Sequence, residues 1–255
     1  MILAADIGNT NITLGGFTDD ELSFVARIST DTAKTSDEYA AKILSVLSLH
    51  SISQESVSGA IVSSVVPTLN SAIRDALRFL CGVEALFVGP GIKTGINIRC
   101  DNPSSVGSDI ICACVAAQSL YVTPCVIVDM GTATKVTAVG KNGAFDGVSI
   151  LPGVLMGLNA LSRGTAQLPQ VSLEAPPSAI GKNTADSMRS GILYGNAAMI
   201  DGMVDRFCDE LGCALPVYAT GGYAPAVVPF CRHEITVDEY MVLRGLNIIF
   251  KKNHK

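Results

Sequence analysis

Short apolar runs alternate with amphipathic stretches along most of the chain. Apolar runs bounded by turn residues predict strands at the N-terminus and at 22–28, 60–66 and 86–88. Apolar residues spaced three and four apart predict helices between them, and the first helix follows Thr35-x-x-Glu38, the pattern of a capping box. This alternation of strands and helices predicts an α/β layered fold.

The first fifteen residues predict a buried strand, a tight turn and a second strand. An apolar run ends at Asp6, and Gly8 opens a turn of small polar residues. Residues 125–140 repeat this pattern around Asp129 and Gly131. Repetition at the starts of the two halves predicts a duplicated domain. We expect an N-terminal lobe at 1–121 and a C-terminal lobe at 122–255.

The residues in these turns suit a nucleotide. Main-chain amides from Gly8 to Asn11, with the hydroxyls of Thr10 and Thr13, can donate to phosphate oxygens. Asp6 can hold a hydrated divalent metal. Two such hairpins facing one another across a cleft would bind a nucleotide with its metal. For the first segment alone, an ordinary hairpin with a polar turn is an equally good interpretation.

A third glycine-rich turn, at 219–224, follows an apolar run and predicts a strand-to-helix junction that can receive an anion or a ribose. A long polar segment, 89–108, precedes a predicted helix that begins at Asp109. A loop of this length usually has a function. On general grounds Asp109 is a helix cap more often than a general base.

Composition narrows the function classes. The chain has 255 residues, of which 48% are hydrophobic and 16% charged, with a net charge of −5. This argues against disorder and against nucleic-acid binding, which favours a basic face. The apolar region 110–128 is interrupted by Gln118, Thr123 and Pro124, so no membrane span is expected. The N-terminus lacks the basic lead of a signal peptide. Eight cysteines without a C-x-x-C pair indicate a reducing, cytoplasmic compartment.

Taken in order, the motifs resemble those of the type III pantothenate kinases, a family of the actin-like ATPase and sugar-kinase superfamily. The similarity spans essentially the whole chain. It is carried by residues 6–10, 99–106, 107–109, 129–134, 151–153, 165–169, 181–184, 190–195, 219–222 and 243–246. The resemblance implies a duplicated ribonuclease H-like fold with two lobes around a nucleotide cleft, and a homodimer. It also implies ATP-dependent phosphorylation of pantothenate to 4'-phosphopantothenate, the first step of coenzyme A biosynthesis.

The resemblance also assigns roles by position. Asp109 would accept the proton of the attacking hydroxyl, which reverses the general preference for a helix cap. Asp129 would hold a monovalent cation, K⁺ or NH₄⁺, and Asp6 would hold Mg²⁺ through the phosphates. The residues that would contact ATP are Asp6, Ile7, Gly8, Asn9, Thr10, Asn11, Ile12, Thr13 and Thr132. Those that would line the pantothenate pocket are Cys100, Gly107, Ser108, Asp109, Ile110 and Thr184, the last near the dimer interface.

Three positions depart from the family pattern. Ile110 stands where the family has an arginine, and Cys100 where it usually has a tyrosine. Arginine binds carboxylates through paired, charge-assisted hydrogen bonds, so Ile110 removes an expected contact to the pantothenate carboxylate. After Thr132-Ala133 in the second hairpin, the family runs Thr-Thr-x-Asp, where this chain has residues 134–137 with Lys135. The ammonium of Lys135 would either replace the monovalent cation or, the reading that we favour from sequence, lie solvated on a strand.

Three functions therefore stay open. The first is a pantothenate kinase with a rebuilt acid pocket. The second is a kinase of a different small alcohol. The third is a non-catalytic nucleotide-binding or accessory homologue. Retention of both Asp6 and Asp109 favours an enzyme, since a protein that only binds has no need of a base.

Overall fold

The structure is a computed structural model that describes residues 1–164, 169 and 171–254. Its strands and helices, in chain order, are β1 (Ile2–Ile7), β2 (Asn11–Thr18), β3 (Glu21–Ser29), α1 (Ser36–Leu49), β4 (Gly59–Ser64), α2 (Asn70–Cys81), β5 (Ala85–Phe87), α3 (Ser108–Leu120), β6 (Cys125–Met130), β7 (Ala133–Val139), β8 (Phe145–Pro152), α4 (Val154–Gly164), α5 (Thr184–Leu211), β9 (Val217–Thr220), α6 (Ala224–Val227), β10 (Ile235–Val237) and α7 (Met241–Asn253).

The chain divides into two compact units. The first unit comprises Met1–Ile96, Asp101–Ser119 and Met241–Lys255. The second unit comprises Asn97–Cys100 and Leu120–Tyr240. Each unit has its own sheet and its own cluster of buried apolar side chains.

The sheet of the first unit has the order β3-β2-β1-β4-β5. β1 pairs antiparallel with β2 and parallel with β4, so the carboxyl ends of β1 and β4 lie at one edge. Alternate residues of these strands pack with apolar residues of α1 and α2, including Tyr39, Ile43 and Ile73, on one face of the sheet. The capping box at the start of α1 is present: Thr35 accepts from the main chain of Glu38, and the Glu38 carboxylate accepts from the Thr35 N–H at 2.9 Å.

The second unit repeats this topology. Its sheet has the order β10-β9-β6-β7-β8, with β6 antiparallel to β7 and parallel to β9. Strand for strand, β6 to β10 correspond to β1 to β5. The duplication predicted from the two hairpins is therefore confirmed. β10 is only three residues long, and the apolar pattern did not predict it.

The C-terminal helix differs from the sequence expectation, which placed 241–255 in the second lobe. α7 packs in the first unit, against β1 and β4 and beside α3. Two glycines allow this: a Cβ at Gly245 would lie 1.9 Å from the Cys112 carbonyl oxygen, and one at Gly15 would lie 2.8 Å from the Leu243 side chain. The sequence predicts a helix from 239 to about 250 followed by a solvated tail. α7 instead continues to Asn253, so Lys251 and Lys252 are helical.

Smaller differences concern element ends. The helix predicted from Pro67 begins as α2 at Asn70, after a short 3₁₀ turn at Pro67–Leu69. The sequence also predicts a turn at 164–169, of which residues 165–168 lie outside the described residues. None of the helices in the part of the chain that the structure describes has the length and apolar character of a membrane span.

Candidate active site

The first hairpin turn follows Asp6 at the carboxyl end of β1. The Gly8 N–H donates to the Asn11 carbonyl at 3.0 Å, which closes the turn. Thr30, just after β3, braces it: its hydroxyl donates to the Gly8 carbonyl at 2.6 Å, and its N–H donates to the Thr10 carbonyl at 3.0 Å. The turn is therefore held by the neighbouring strand as well as by its own bonds.

Side-chain burial separates the residues of this turn into two groups. Asn9, Thr10 and Asn11 are exposed. Ile7 and Ile12 are buried in the apolar core of the first unit. Of the residues that the resemblance assigns to ATP, these two isoleucines can offer only main-chain atoms to a nucleotide.

Asp109 is the second residue of α3 and is partly exposed. One carboxylate oxygen accepts the N–H of Ile110 at 2.8 Å, so the side chain folds back over the helix start. A Cβ at Gly107 would lie 2.5 Å from the same oxygen, so any side chain there would displace the carboxylate. Ile110 itself is only 8% exposed, so most of its side chain packs inside the protein.

Ser108 does not offer its side chain to a ligand. It is 7% exposed, and its hydroxyl lies 3.0 Å from the Ser63 hydroxyl. The same oxygen accepts the Ser64 N–H at 2.9 Å and lies 3.1 Å from the Ser64 carbonyl. The resemblance assigns Ser108 to the substrate pocket. Ser63, Ser64 and Thr30 carry no sequence signal, because nothing in the sequence pairs residues so far apart.

The negative charges of Asp6 and Asp109 both raise the pKa of the same buried thiol. Burial raises the pKa of Cys112 well above its ordinary value, and the negative charges of Asp6 and Asp109 raise it further. Cys112 lies on α3, one turn after Asp109. The structure thus brings Asp6 and Asp109 to the same neighbourhood, at the carboxyl edge of β1 and β4, where α/β sheets commonly bind ligands.

The second hairpin carries an ion pair. Asp129 and Lys135 are cross-strand neighbours on β6 and β7. The Lys135 ammonium donates to an Asp129 carboxylate oxygen at 2.6 Å, with the side chains only 15% and 18% exposed. A partly buried pair at this distance interacts more strongly than a surface pair. The alternative that Lys135 is a solvated surface residue, which the sequence favoured, is wrong.

The backbone packs closely around the second hairpin at two glycines. Gly221, after β9, has φ +90°, and a Cβ there would lie 2.6 Å from the Met130 carbonyl and 2.8 Å from the Asp129 carboxylate. A Cβ at Gly153 would lie 2.0 Å from the Thr132 carbonyl. The third predicted turn and the start of α4 therefore both pack directly on the second hairpin, whose Thr132 side chain is exposed.

The two remaining predicted substrate residues are exposed. Cys100 follows Arg99, whose N–H donates to the Phe145 carbonyl at 2.8 Å and whose guanidinium lies 3.3 Å from Asp146. The polar segment 89–108 is therefore anchored on β8 next to Cys100. Thr184 is the first residue of α5 and follows its cap, Asn183.

The first hairpin is compatible with a magnesium ion that has few ligands from the protein. Among residues 1–164, 169 and 171–254, no three His, Cys, Asp or Glu side chains are grouped so that they could hold a metal. Mg²⁺ commonly binds through one or two carboxylates, substrate phosphates and water. The single partly exposed carboxylate of Asp6, beside a turn of amides, suits that mode of binding.

A protein-family model matches most of the chain. The model described as type III pantothenate kinase matches residues 2–206. The chain belongs to the type III pantothenate kinase family. Relatives of that name cover the whole chain: one from Exiguobacterium sp. is 41% identical over 100% of both chains, and one from Syntrophobacter fumaroxidans is 41% identical over 100% of this chain and 99% of its own.

Solved structures show the same fold for this member of the type III pantothenate kinase family. A protein described as a Baf family transcriptional activator from Campylobacter jejuni has a TM-score of 0.62 at 20% identity and covers 99% of this chain and 98% of its own. Component A of (R)-2-hydroxyglutaryl-CoA dehydratase from Acidaminococcus fermentans has a TM-score of 0.60 at 16% identity, covering 100% and 99%. At these identities the likeness concerns the fold, which is that of the actin-like ATPases and sugar kinases.

Proposed function

We propose that this protein transfers the γ-phosphoryl group of ATP to the primary hydroxyl of pantothenate. The product is 4'-phosphopantothenate, and the reaction opens coenzyme A biosynthesis. The full-length similarity to type III pantothenate kinases carries the proposal. The convergence of Asp6 and Asp109 near Cys112 supports it, since phosphoryl transfer needs charge neutralisation at the phosphates and an acceptor for the hydroxyl proton.

The chain's own residues have separable roles in this reaction. The hydroxyl oxygen forms a bond to the γ-phosphorus, the bond to the β–γ bridging oxygen breaks, and ADP leaves. Asp109 accepts the hydroxyl proton. Asp6, the turn from Gly8 to Asn11 and Thr13 bind the phosphates, with Mg²⁺ supplying positive charge when bound. Thr132 contacts ATP as well.

Two of the residues that the resemblance assigns to the substrate pocket have side chains that already contact other parts of the protein. Ser108 has its hydroxyl committed to β4, and Ile110 is mostly buried, so neither side chain is suited to bind a polar substrate. We assign substrate contact to Cys100, Thr184, the main chain at Gly107 and Asp109. The missing arginine at 110 favours, as a second candidate, a small alcohol without a carboxylate.

The decisive assay is ADP release from ATP and Mg²⁺, with and without pantothenate. Release that depends on pantothenate is expected. A panel of neutral and acidic alcohols covers the second candidate. Asp109→Asn should abolish turnover while ATP binding stays within about twofold. Asp37→Asn, which changes an exposed acid in the first turn of α1, serves as the control. Full turnover in Asp109→Asn would remove Asp109 from the mechanism, and ATP binding without turnover on any alcohol would favour a non-catalytic homologue.

We also propose that the Lys135 ammonium takes the place of the monovalent cation. Its 2.6 Å bond to Asp129 supplies the positive charge that K⁺ or NH₄⁺ would supply there. The rate should therefore be equal in K⁺ and Na⁺ buffers. Lys135→Ala should lower the rate and make it dependent on K⁺, while Lys141→Ala, an exposed lysine beyond the same strand, should change neither. Strong stimulation of the unmodified protein by K⁺ over Na⁺ would contradict the proposal.

We further propose that the protein is a cytoplasmic homodimer that pairs through α5. Gly191, Gly195 and Ala198 are exposed along one side of this helix. Beyond the backbone of the helix itself, a Cβ at either glycine would meet no atom within 4 Å in the part of the chain that the structure describes. Met156 and Leu161 on the adjoining α4 are 49% and 39% exposed. A helix face of small residues permits close approach of a second copy.

Sedimentation velocity tests the dimer. Gly195→Arg should shift the protein to monomer at micromolar concentration. Leu49→Arg, which places an arginine at an exposed position of α1, should leave a dimer. A monomeric unmodified protein, or a dimer that survives Gly195→Arg, would contradict the assignment to α5.

A further inference from the structure

The hydroxyl of Ser108 is fully used by its neighbours on β4. A serine hydroxyl has one hydrogen and two acceptor sites. The Ser64 carbonyl can only accept, so Ser108 donates its hydrogen there, at 3.1 Å. The Ser64 N–H at 2.9 Å and the Ser63 hydroxyl at 3.0 Å then fill the two acceptor sites, which makes Ser63 the donor in that contact. No capacity remains for a substrate.

These bonds fix the start of α3 to the end of β4. Ser108 is the first residue of the helix, and Ser63 and Ser64 are the last two residues of the strand. The segment before Ser108 is a long irregular stretch that gives the helix start little support from regular structure. With Ser63 fully buried and Ser108 7% exposed, the three bonds are shielded from water, which strengthens them.

The same bonds relate Asp109 to Asp6. In the parallel register, Ser63 is the direct partner of Asp6 and Ser64 that of Ile7. Paired residues of neighbouring strands point to the same face of a sheet, so the Asp6 and Ser63 side chains share the face opposite α1 and α2. Ser63 bonds Ser108, and Asp109 is the next residue. The strand pairing of Asp6 with Ser63 and the bond from Ser63 to Ser108 thus relate the backbone positions of Asp6 and Asp109.

We propose that Ser108 is a positioning residue for the reaction. By tying the first turn of α3 to β4, it sets the distance between the Asp109 carboxylate and Asp6. Ser108 touches neither substrate nor nucleotide. This inference rests on the proposed function, in which Asp109 accepts the hydroxyl proton and Asp6 lies at the phosphates.

Steady-state kinetics of Ser108→Ala test the role. Small displacements of a catalytic group cost large factors in rate, so kcat should fall about ten- to a hundredfold. The KM values for ATP and pantothenate should change by less than about threefold, since Ser108 contacts neither. Ser108→Thr keeps the hydroxyl and should recover most of the rate. Ser45→Ala, which removes a helical serine hydroxyl on α1, should leave kcat unchanged.

Folding is checked by circular dichroism at a temperature well below each variant's melting point. If Ser108→Ala is poorly folded, Ser63→Ala replaces it, because it removes one of the three bonds and leaves two; a three- to tenfold fall in kcat is then expected. A folded Ser108→Ala with unchanged kcat would overturn the proposal. A raised KM for pantothenate at unchanged kcat would overturn it too, because that result assigns Ser108 to substrate binding.

Measuring Asp109→Asn in parallel distinguishes a failure of the positioning role of Ser108 from a failure of the proposed role of Asp109. Loss of turnover in Asp109→Asn with normal turnover in Ser108→Ala removes only the positioning role. Normal turnover in Asp109→Asn removes the role of Asp109 itself, and the positioning role with it.

Discussion

At the scale of single residues, the hydrogen bonds within the protein decide which of the predicted site residues have side chains available to a ligand. Asp129 and Lys135 share a short bond, and the Ser108 hydroxyl is saturated. Sequence motifs identified the positions of Asp6, Asp109 and Asp129. They could not show that Ser108 is occupied or that Ile110 is mostly buried, because both facts depend on contacts with strands distant in the chain.

The cysteines permit a test of the electrostatic environment near Asp109. Burial and the charges of Asp6 and Asp109 raise the pKa of Cys112, so at pH 8 its thiolate fraction should be negligible. Cys100 and Cys213 are exposed and should be alkylated first by iodoacetamide. Peptide mass spectrometry after graded labelling measures the order, with Cys213 as the internal reference for Cys100.

Repeating the labelling in the presence of pantothenate tests whether Cys100 lines the substrate pocket. If Cys100 lines the substrate pocket, ATP and pantothenate together should slow its alkylation and leave that of Cys213 unchanged. Early labelling of Cys112 in folded protein would contradict the buried, negatively charged surroundings described for it.

At the scale of elements, the apolar pattern predicted most strands and helices for one of two reasons. Some elements, such as α1 and α2, have one apolar face, and others, such as β4 and α3, are apolar along most of their length and bounded by turn residues. The capping box at Thr35, the repeated hairpin and the buried α3 follow from local sequence. β10 was missed because three residues hold too little of an alternating pattern. The docking of α7 was missed because an apolar helix face does not by itself specify the surface that it packs on. The close approaches at Gly245 and Gly15 join residues that are far apart in the chain.

Gly245→Ala is therefore expected to destabilise the protein. The added Cβ would meet the Cys112 main chain at 1.9 Å, and a backbone neighbour cannot move aside as a flexible side chain can. A loss of about 2 kcal/mol or more in the free energy of unfolding is expected, at the level of an overpacked core. Urea denaturation measures it.

Gly202→Ala is the matched control. Gly202 is also inside a helix, but its added Cβ would meet only the end of the Arg206 side chain, at 3.3 Å. Because alanine favours a helix over glycine, this variant should gain up to about 1 kcal/mol. Equal effects of the two substitutions would argue against the close contact between α7 and α3.

At the scale of the whole molecule, duplication explains why two sheets of identical strand order occur in one chain. The copies have diverged in the turn: Asp6 pairs with Thr13, seven residues on, whereas Asp129 pairs with Lys135, six residues on. The sequence revealed the repeat from its acids and glycines. The change of cross-strand partner depends on turn length and register, which the structure provides.

Stability should fall at high pH because of buried thiols. Burial raises the pKa of Cys125 from 9.0 to about 12. In the unfolded chain this thiol loses its proton near pH 9, while in the folded protein it keeps the proton up to about pH 12. The unfolded state therefore binds fewer protons across this window, and stability is lost as pH rises through it, by about 1.4 kcal/mol per pH unit for one thiol.

Urea unfolding at pH 7.5, 9.0 and 10.5 measures this slope. Cys125→Ala lacks the titrating group and should show a shallower fall between pH 9.0 and 10.5, although it starts from lower stability at pH 7.5 because of the small cavity. Equal slopes for the two proteins would show that Cys125 does not titrate differently in the folded and unfolded states.

The placement of α7 has a consequence for how the protein is made. The first unit contains both ends of the chain, so its last helix leaves the ribosome only after the second unit has been synthesised. At translation rates of about 5–20 residues per second, the face of β1 and β4 that receives α7 stays uncovered for a time on the order of tens of seconds. The half of the protein that is translated first is thus the half that is completed last, and a nascent chain stalled before Met241 would expose that face to chaperones.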